Sequence, residues 1–342
     1  MKMMKLILFL LVLISMVACN PVGGQRADTD DWFCVRRDTV YFEANSSLDS
    51  CVLRVLHSVC KCKGKYYLEF GVYGDCPRIF SLSEDFRTLK KLPCPKEFYH
   101  YEDLFVRNDS VFSKSEGWPT TWTRYFDEER QQWLDYSERH DKFNYSELFF
   151  EDDNYYVSYL PRIYRLGVLV FKAKATGVDH TYHSLSLVQF LKNGDNYYTI
   201  GSYGIYRIKD PTRDLLRDSS ELTNHILLGE ALFHRDIEWD GRGYPDTTFV
   251  SALIVQDTIY VLTNDSIGTY FNKIENDTLK RSVDIGGNLI FQDYQRVYLH
   301  VAPQNQIIEP FYWKSEDGEE NSGILDIHGY DIHLIYFVKR PS

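Results

Sequence analysis

Gly194-Asp195-Asn196-Tyr197-Tyr198 decides the reading of the fold, because the same short unit returns along the chain. It combines one or two acidic or amide residues with a short apolar run carrying an aromatic. Further copies are Arg37-Asp38-Thr39-Val40-Tyr41-Phe42, Asn108-Asp109-Ser110-Val111-Phe112, Asp152-Asp153-Asn154-Tyr155-Tyr156 and Gln256-Asp257-Thr258-Ile259-Tyr260. Looser copies begin at Gly64, Tyr294 and Tyr330. Asp, Asn and Gly accept the dihedrals of a tight turn, and the aromatic anchors the strand that follows. Each unit therefore predicts a turn and then a strand.

The anchors Tyr67, Phe112, Tyr156, Tyr198, Tyr260, Tyr298 and Tyr336 are spaced by 45, 44, 42, 62, 38 and 38 residues. Apart from the 62-residue gap, which implies an insertion, these are the lengths of four-stranded propeller blades. A second hairpin often follows the anchor, as over 79–89 and from Tyr270 through Asn276-Asp277 to Leu279. Sheets of this size cannot bury a face alone and must stack on neighbours. Composition agrees: 26 Tyr and 21 Phe favour a pleated, half-buried surface over helix, and all 4 Met fall within the first sixteen residues. The expectation is an all-β, propeller-like array of six to eight short antiparallel repeat units over 32–342.

Two families share these motifs. Tyr125-Phe126-Asp127 with Trp133, and Tyr182-His183-Ser184-Leu185 running to Tyr198-Thr199-Ile200-Gly201, resemble segments of a kelch repeat, without its paired glycines. Asp153-Asn154-Tyr155-Tyr156 and Asp195-Asn196-Tyr197-Tyr198 resemble the signature of the DKNYY repeat family of bacterial envelope proteins, lacking its lysine. Asp246-Thr247-Thr248-Phe249 and 85–89 resemble that family's second half. Neither resemblance supplies catalytic residues; the second implies a repeat-built envelope lipoprotein.

The N-terminus points the same way. Lys2 and Lys5 precede an apolar run from Leu6 to Val17, too short for a permanent membrane span, which fits an export signal. Met16-Val17-Ala18-Cys19 resembles a lipobox, so residues 1–19 are expected to be a lipoprotein signal ending in the lipidation residue Cys19. Residues 20–31, with Pro21, Gly23, Gly24 and three acids, read as a flexible tether. The expected location is the cell envelope, held to a bacterial membrane by lipid on its periplasmic or outer side; simple secretion is the alternative.

Loss of Lys2 and Lys5 would take the formal charge from −11 to −13. That balance excludes a nucleic-acid partner, whose phosphates demand clustered bases, and leaves acyl chains to hold the membrane. Six further cysteines, Cys34, Cys51, Cys60, Cys62, Cys76 and Cys94, all lie before residue 95. In an oxidising compartment they are disulfide candidates that would staple the 32–94 portion; their connectivity stays open.

Candidate chemistry is sparse. Asp236, Glu238 and Asp240 before Gly241 open like a calcium loop, but Tyr244 and Thr247 hold the ninth and twelfth positions. A strand with one polar face is the simpler reading; calcium is the one cofactor the pattern would admit. His180 and His183 stand three apart, which on a strand sends them to opposite faces. Trp118, Trp122 and Trp133 could stack on sugar rings or peptide if exposed, or pack between blades. Phosphate loops, Gly-x-Ser-x-Gly and His-Glu-x-x-His are absent. The expected role is non-catalytic binding or scaffolding of a protein or glycan. The rival is a secreted hydrolase or lyase with a carboxylate and histidine site at the centre of a propeller. Sequons at Asn45, Asn108, Asn144, Asn264 and Asn276 would matter in a glycosylating host.

Overall fold

A computed structural model describes residues 33–42, 56–70, 78–93, 102–116, 121–136, 148–161, 166–185, 187–201, 204–212, 229–234, 247–286, 289–291, 304–315, 318 and 320–339. The expected signal and tether (1–31) lie outside them. The described residues form six four-stranded sheets arranged as a six-bladed propeller.

Blade 1 is β2 (Leu56–Cys62), β3 (Lys65–Phe70), β4 (Arg78–Ser83) and β5 (Leu89–Lys91). Blade 2 is β6 (Glu102–Arg107), β7 (Ser110–Glu116), β8 (Thr121–Asp127) and β9 (Gln132–Asp135). Blade 3 is β10 (Leu148–Glu151), β11 (Tyr155–Pro161), β12 (Leu166–Ala173) and β13 (Asp179–Leu185). Blade 4 is β14 (Leu187–Asn193), β15 (Asn196–Gly201), β16 (Gly204–Ile208) and β17 (Glu230–His234). Blade 5 is β18 (Thr247–Val255), β19 (Thr258–Asp265), β20 (Thr269–Glu275) and β21 (Thr278–Gly286). Blade 6 takes β22 (Gln306–Lys314), β23 (Glu320–His328) and β24 (Asp331–Lys339) from the C-terminal end of the chain, and β1 (Cys34–Phe42) as its outermost strand.

The units at Gly64, Asn108, Asp152, Gly194 and Gln256 are the hairpins between first and second strands, whereas the unit at Tyr330 is the turn between β23 and β24 and the turn expected at Arg37-Asp38 lies inside β1. Asn108-Asp109 and Gln256-Asp257 hold φ of 48° and 55°, and of 46° and 62°. Two consecutive left-handed residues make the type I′ turn whose twist matches the strands it joins. Lys63-Gly64 does the same at 48° and 70°. These turns gather on one end of the propeller, the hairpin face. At the opposite end a β-bulge recurs near the start of the first strand, between Leu56 and Ser58, Leu148 and Phe150, Leu187 and Gln189, and Phe249 and Ser251. We call this end the bulge face.

Blade 6 breaks the pattern. The first strands of neighbouring blades run alike: Ser58 and Leu104 meet near the starts of β2 and β6, and Asn193 reaches Asp257 at the hairpin ends of β14 and β18. Against them β22 runs backwards. The amide of Leu56, at the start of β2, donates to Ser322 Oγ, and its carbonyl accepts from Tyr312 near the end of β22. Lys61, at the other end of β2, reaches Asp326, whose ladder partner is Ile308 at the start of β22. This inversion gives β1 its parallel pairing with β24, over nine residues from Cys34–Asp331 to Phe42–Lys339. Parallel neighbours within one stretch of chain need a long crossover; strands from opposite ends of the chain do not.

Among the described residues, buried clusters fill five seams between blades. Leu56, Val59, Leu68 and Phe70 meet Ile324, Ile335 and Phe337 where blade 6 closes on blade 1. Cys60, Cys62 and Tyr67 meet Leu104, Val111 and Phe126 between blades 1 and 2. Similar clusters join blades 3 and 4, 4 and 5, and 5 and 6. At the remaining seam blade 2 presents a cluster of rings, Phe105 stacked on Phe112, and Tyr136 edge-on to Phe112 and Tyr125.

Candidate functional site

First-strand amides that face the bore have no strand partner there and must find another acceptor. Near the bulge face, hydroxyls from the adjacent blade supply it: Leu104 N donates to Ser58 Oγ at 2.8 Å and Leu56 N to Ser322 Oγ at 3.1 Å. At the hairpin end one residue serves two blades. Gln304 accepts from Ile254 N of blade 5 through its carbonyl at 2.7 Å, and from Lys192 N of blade 4 through Oε1 at 3.3 Å. Its neighbour Asn305 accepts from Gly329 N of blade 6 at 3.1 Å. Gln304 and Asn305 thus tie three blades across the hairpin end of the bore.

Buried polar residues are biased to the other end. Ser58, Gln189, Ser251, Thr263, Thr269, Asn321 and Ser322 all lie toward the bulge face. Asn272 Nδ2 donates to Thr263 Oγ1 at 2.6 Å, and Asn264 Nδ2 to Thr269 Oγ1 at 3.0 Å and Leu289 O at 2.5 Å. The amide of Asn264 is therefore committed internally and is poorly placed to carry a glycan. Beyond β21 the chain returns along the free edge of β22, where Ile290 and Tyr312 exchange two hydrogen bonds of 2.8 Å.

Two acids of the hairpin end, Asp326 and Asp152, hold blades together. Asp326, 5% exposed, accepts from Tyr66 OH at 2.6 Å and Lys61 Nζ at 3.1 Å through Oδ2, and from Gln306 Nε2 at 3.1 Å through Oδ1. Lys61 also pairs with Glu84 at 2.9 Å and lies over the Tyr66 ring. Burial, reinforced by Asp326, pushes the Tyr66 hydroxyl far above its usual range, so it remains a donor. The same staple recurs three blades on. Lys192 Nζ and Tyr197 OH reach Asp152 Oδ2 at 2.8 and 2.6 Å, and the ammonium lies over the Tyr197 ring. Lys61 and Tyr66 occupy the same hairpin positions as Lys192 and Tyr197, opposite one another across the first two strands. The spacing Lys-x4-Tyr-Tyr was legible in both copies; their acids were not, because they come from different places on the preceding blade.

Burial opposes ionisation of Asp152, but Lys192, Tyr197 and the amides of Tyr155 and Asn154 outweigh it and hold its carboxyl below the ordinary value. A depressed carboxyl contributes stability that is complete above its unfolded pKa, about 3.9, and lost as pH falls through the folded value. Urea midpoints of the natural chain should therefore drop below about pH 4 more steeply than those of Asp152→Asn. Parallel pH profiles would remove this role from Asp152.

The residues singled out in the sequence are dispersed. Trp133 lies on β9 with its ring against Phe126 at 5.2 Å, and its indole N–H donates to Pro93 O at 3.0 Å, so it packs between blades 1 and 2. Trp122 lies on β8 opposite Ser115, and Trp118 lies outside the described residues. Asp236, Glu238 and Asp240 also lie outside them, in the stretch joining β17 to β18. His180 and His183 lie on β13, the outermost strand of blade 3. Cys51, Cys76 and Cys94 fall outside the described residues, and Cys34 opens β1 half-buried.

Cys60 and Cys62 carry no disulfide here. Both thiols are buried in the blade 1–2 seam, and burial pushes them up, most strongly at Cys60, where Cys62 adds to it. A buried protonated thiol is a poor nucleophile. Both should resist alkylation in the folded protein and react after unfolding without reductant, as read by peptide mass spectrometry. Failure to react after unfolding would mean that they are bridged.

No family model matches the chain, and no curated protein is similar to it in sequence. Solved structures similar to it include candidate 6-phosphogluconolactonases from Bacteroides uniformis and Bacteroides fragilis. The first is 10% identical with a TM-score of 0.38, covering 78% of this chain and 83% of that one. The second is 10% identical with a TM-score of 0.36, covering 81% and 86%. A GH43 endo-arabinanase from Bacillus licheniformis is 12% identical with a TM-score of 0.31, covering 70% and 96%.

Proposed function

We propose that this chain is an exported, lipid-anchored propeller that binds a protein or glycan through its bulge face without performing catalysis. The observation that carries the reading is the asymmetry of the bore. Gln304 and Asn305 tie blades 4, 5 and 6 across the hairpin end, and the hairpin acids Asp152 and Asp326 are engaged in staples. At the bulge face, by contrast, β1, β5, β9 and β17 end and β2, β6, β10 and β18 begin. Loops carried on a rigid scaffold are where recognition residues concentrate. Lipid attachment at Cys19 would keep this face in the envelope.

The test is capture from an envelope extract and on a glycan panel with the chain lacking residues 1–19. Binding should be lost when a bulky label is placed at Ile267, an exposed bulge-face turn residue, and kept when it is placed at Asp195 on the hairpin face. Capture indifferent to both labels, or turnover in a hydrolase screen with no binding, would overturn the reading. For the anchor, Cys19→Ala should abolish acyl labelling and release the protein from membranes; unchanged retention would remove the anchor.

A further inference from the structure

We infer that the hairpin face is the membrane-proximal face, so that the bulge face is presented away from the lipid. This rests on the lipid-anchor reading and gives its recognition face a direction. The tether meets the propeller at Phe33 and Cys34. Phe33 sits edge-on to Tyr260 and Phe271 at 5.2 Å each and to Tyr330 at 5.1 Å, in the seam between blades 5 and 6. The Cys34 amide donates to Tyr330 O at 2.9 Å, and Tyr330 OH reaches Gln256 Oε1 in the type I′ turn of blade 5. These contacts fix the junction at the hairpin end. From there β1 climbs, Arg37 reaching Ile285 O of blade 5 at 3.0 Å, to Phe42 near the bulge face.

Distance then decides the orientation. A flexible tether of thirteen residues would span about 20 Å root-mean-square, from 5–6 Å times the square root of their number. A nine-residue strand such as β1 rises about 30 Å. A tether leaving from the hairpin end reaches the bilayer directly there. To bring the bulge face onto lipid it would have to run the full height of blade 6 and stretch well beyond its mean span. The hairpin turns expose Asp85, Asp109, Glu129, Asp195, Asp257 and Asp277 beside Lys63, Arg87 and Arg130, so charge does not draw this face to anionic headgroups and the tether alone gives it direction.

The test uses the mature lipidated protein in phosphatidylcholine vesicles with acceptor-labelled headgroups, and a donor dye at Asp195 or at Ile267. Energy transfer should be about twofold higher from Asp195, given the ~30 Å that separates the faces. Equal or greater transfer from Ile267 would overturn the orientation. A second arm couples residue 20 of the unlipidated mature chain chemically to a lipid. If Cys19 takes no acyl label but this arm still places Asp195 nearer, the anchor reading fails and the orientation stands. If this arm places Ile267 nearer, the orientation fails whatever the state of Cys19.

Discussion

Gly323→Val should cost about 3–4 kcal/mol, at the upper end of what core overpacking costs. Gly323 lies buried on β23 directly opposite Phe311 on β22. A Cβ there would overlap the Phe311 ring and lie 2.7 Å from Ile335 O. Neither neighbour can yield easily. Phe311 is fully buried, edge-on to Tyr336 at 5.4 Å, and Ile335 O belongs to the backbone of β24. A valine would have to push neighbouring strands apart in the blade that closes the ring. At roughly 2–4 °C per kcal/mol for a protein of this class, the melting temperature should fall by about 10 °C. Gly177→Ala is the contrast: φ is +71° and nothing lies within 4 Å, so only the backbone cost of about 1 kcal/mol applies. A Gly323→Val melt within about 2 °C of the natural chain would show that the blade can repack.

The same device recurs as Tyr159 folded over Gly167, Tyr206 over Gly204 and Tyr270 over Gly268. It shows what the sequence could and could not disclose. Abundant aromatics were legible as strand anchors, and Tyr67, Phe112, Tyr156, Tyr198 and Tyr260 do occupy the second strands of blades 1 to 5. The glycines facing Tyr159 and Phe311 were not legible, because pairs across β11 and β12 or across β22 and β23 depend on register, whereas Gly204-x-Tyr206 and Gly268-x-Tyr270 lie two apart in sequence. The blade number was bounded at six to eight and is six. Counting anchors overshoots at the C-terminal end, where Tyr336 lies on the third strand of an inverted blade and Tyr298 falls outside the described residues. The 62-residue gap between Tyr198 and Tyr260 holds the long connections 213–228 and 235–246 around β17. The strand at Val40 to Phe42 was legible, although the turn expected at Arg37-Asp38 is itself part of β1. Its place at the edge of the last blade was not, since nothing local distinguishes a strand that pairs with residues almost three hundred positions away.

The candidate site was less legible than the fold for a related reason. Periodicity reports which face of a strand is buried, and that suffices to predict blades. It does not report which blade a polar side chain will meet. Gln304 lies outside every repeat unit, yet it accepts from two blades, and its chemistry is that of any surface glutamine until the ring closes around it.

The closing seam gives the second large effect. Asp326→Ala should destabilise the protein by about 3–5 kcal/mol, the cost of breaking a buried pair by removing one partner. The loss has two components. Tyr66 OH and Gln306 Nε2 lose this acceptor in a buried setting, and Lys61 is left with Glu84, a weaker partner because its side chain is 60% exposed. Asp326→Asn keeps an acceptor oxygen while removing the charge, so it should cost clearly less than alanine. Lys61→Met in the Asp326→Ala background should recover some of the loss, since a thioether fills the space without needing a counterion; the cycle isolates the coupling. The exposed pair Lys280–Glu275 sets the scale for a surface contact, and Glu275→Ala should change stability by no more than about 0.5 kcal/mol. The effect should also be local. Asp326 is the ladder partner of His333, and His333 of Arg36, so the staple shares one row of blade 6 with the closing strand. Amide exchange along Val35–Val40 should therefore quicken in Asp326→Ala more than in the equivalent Asp152→Ala, whose seam lies within the continuous run of blades. Equal protection of β1 in both variants would mean that the staple stabilises any seam alike and that the ring owes its closure to the apolar contacts of Val40, Ile335 and Phe337.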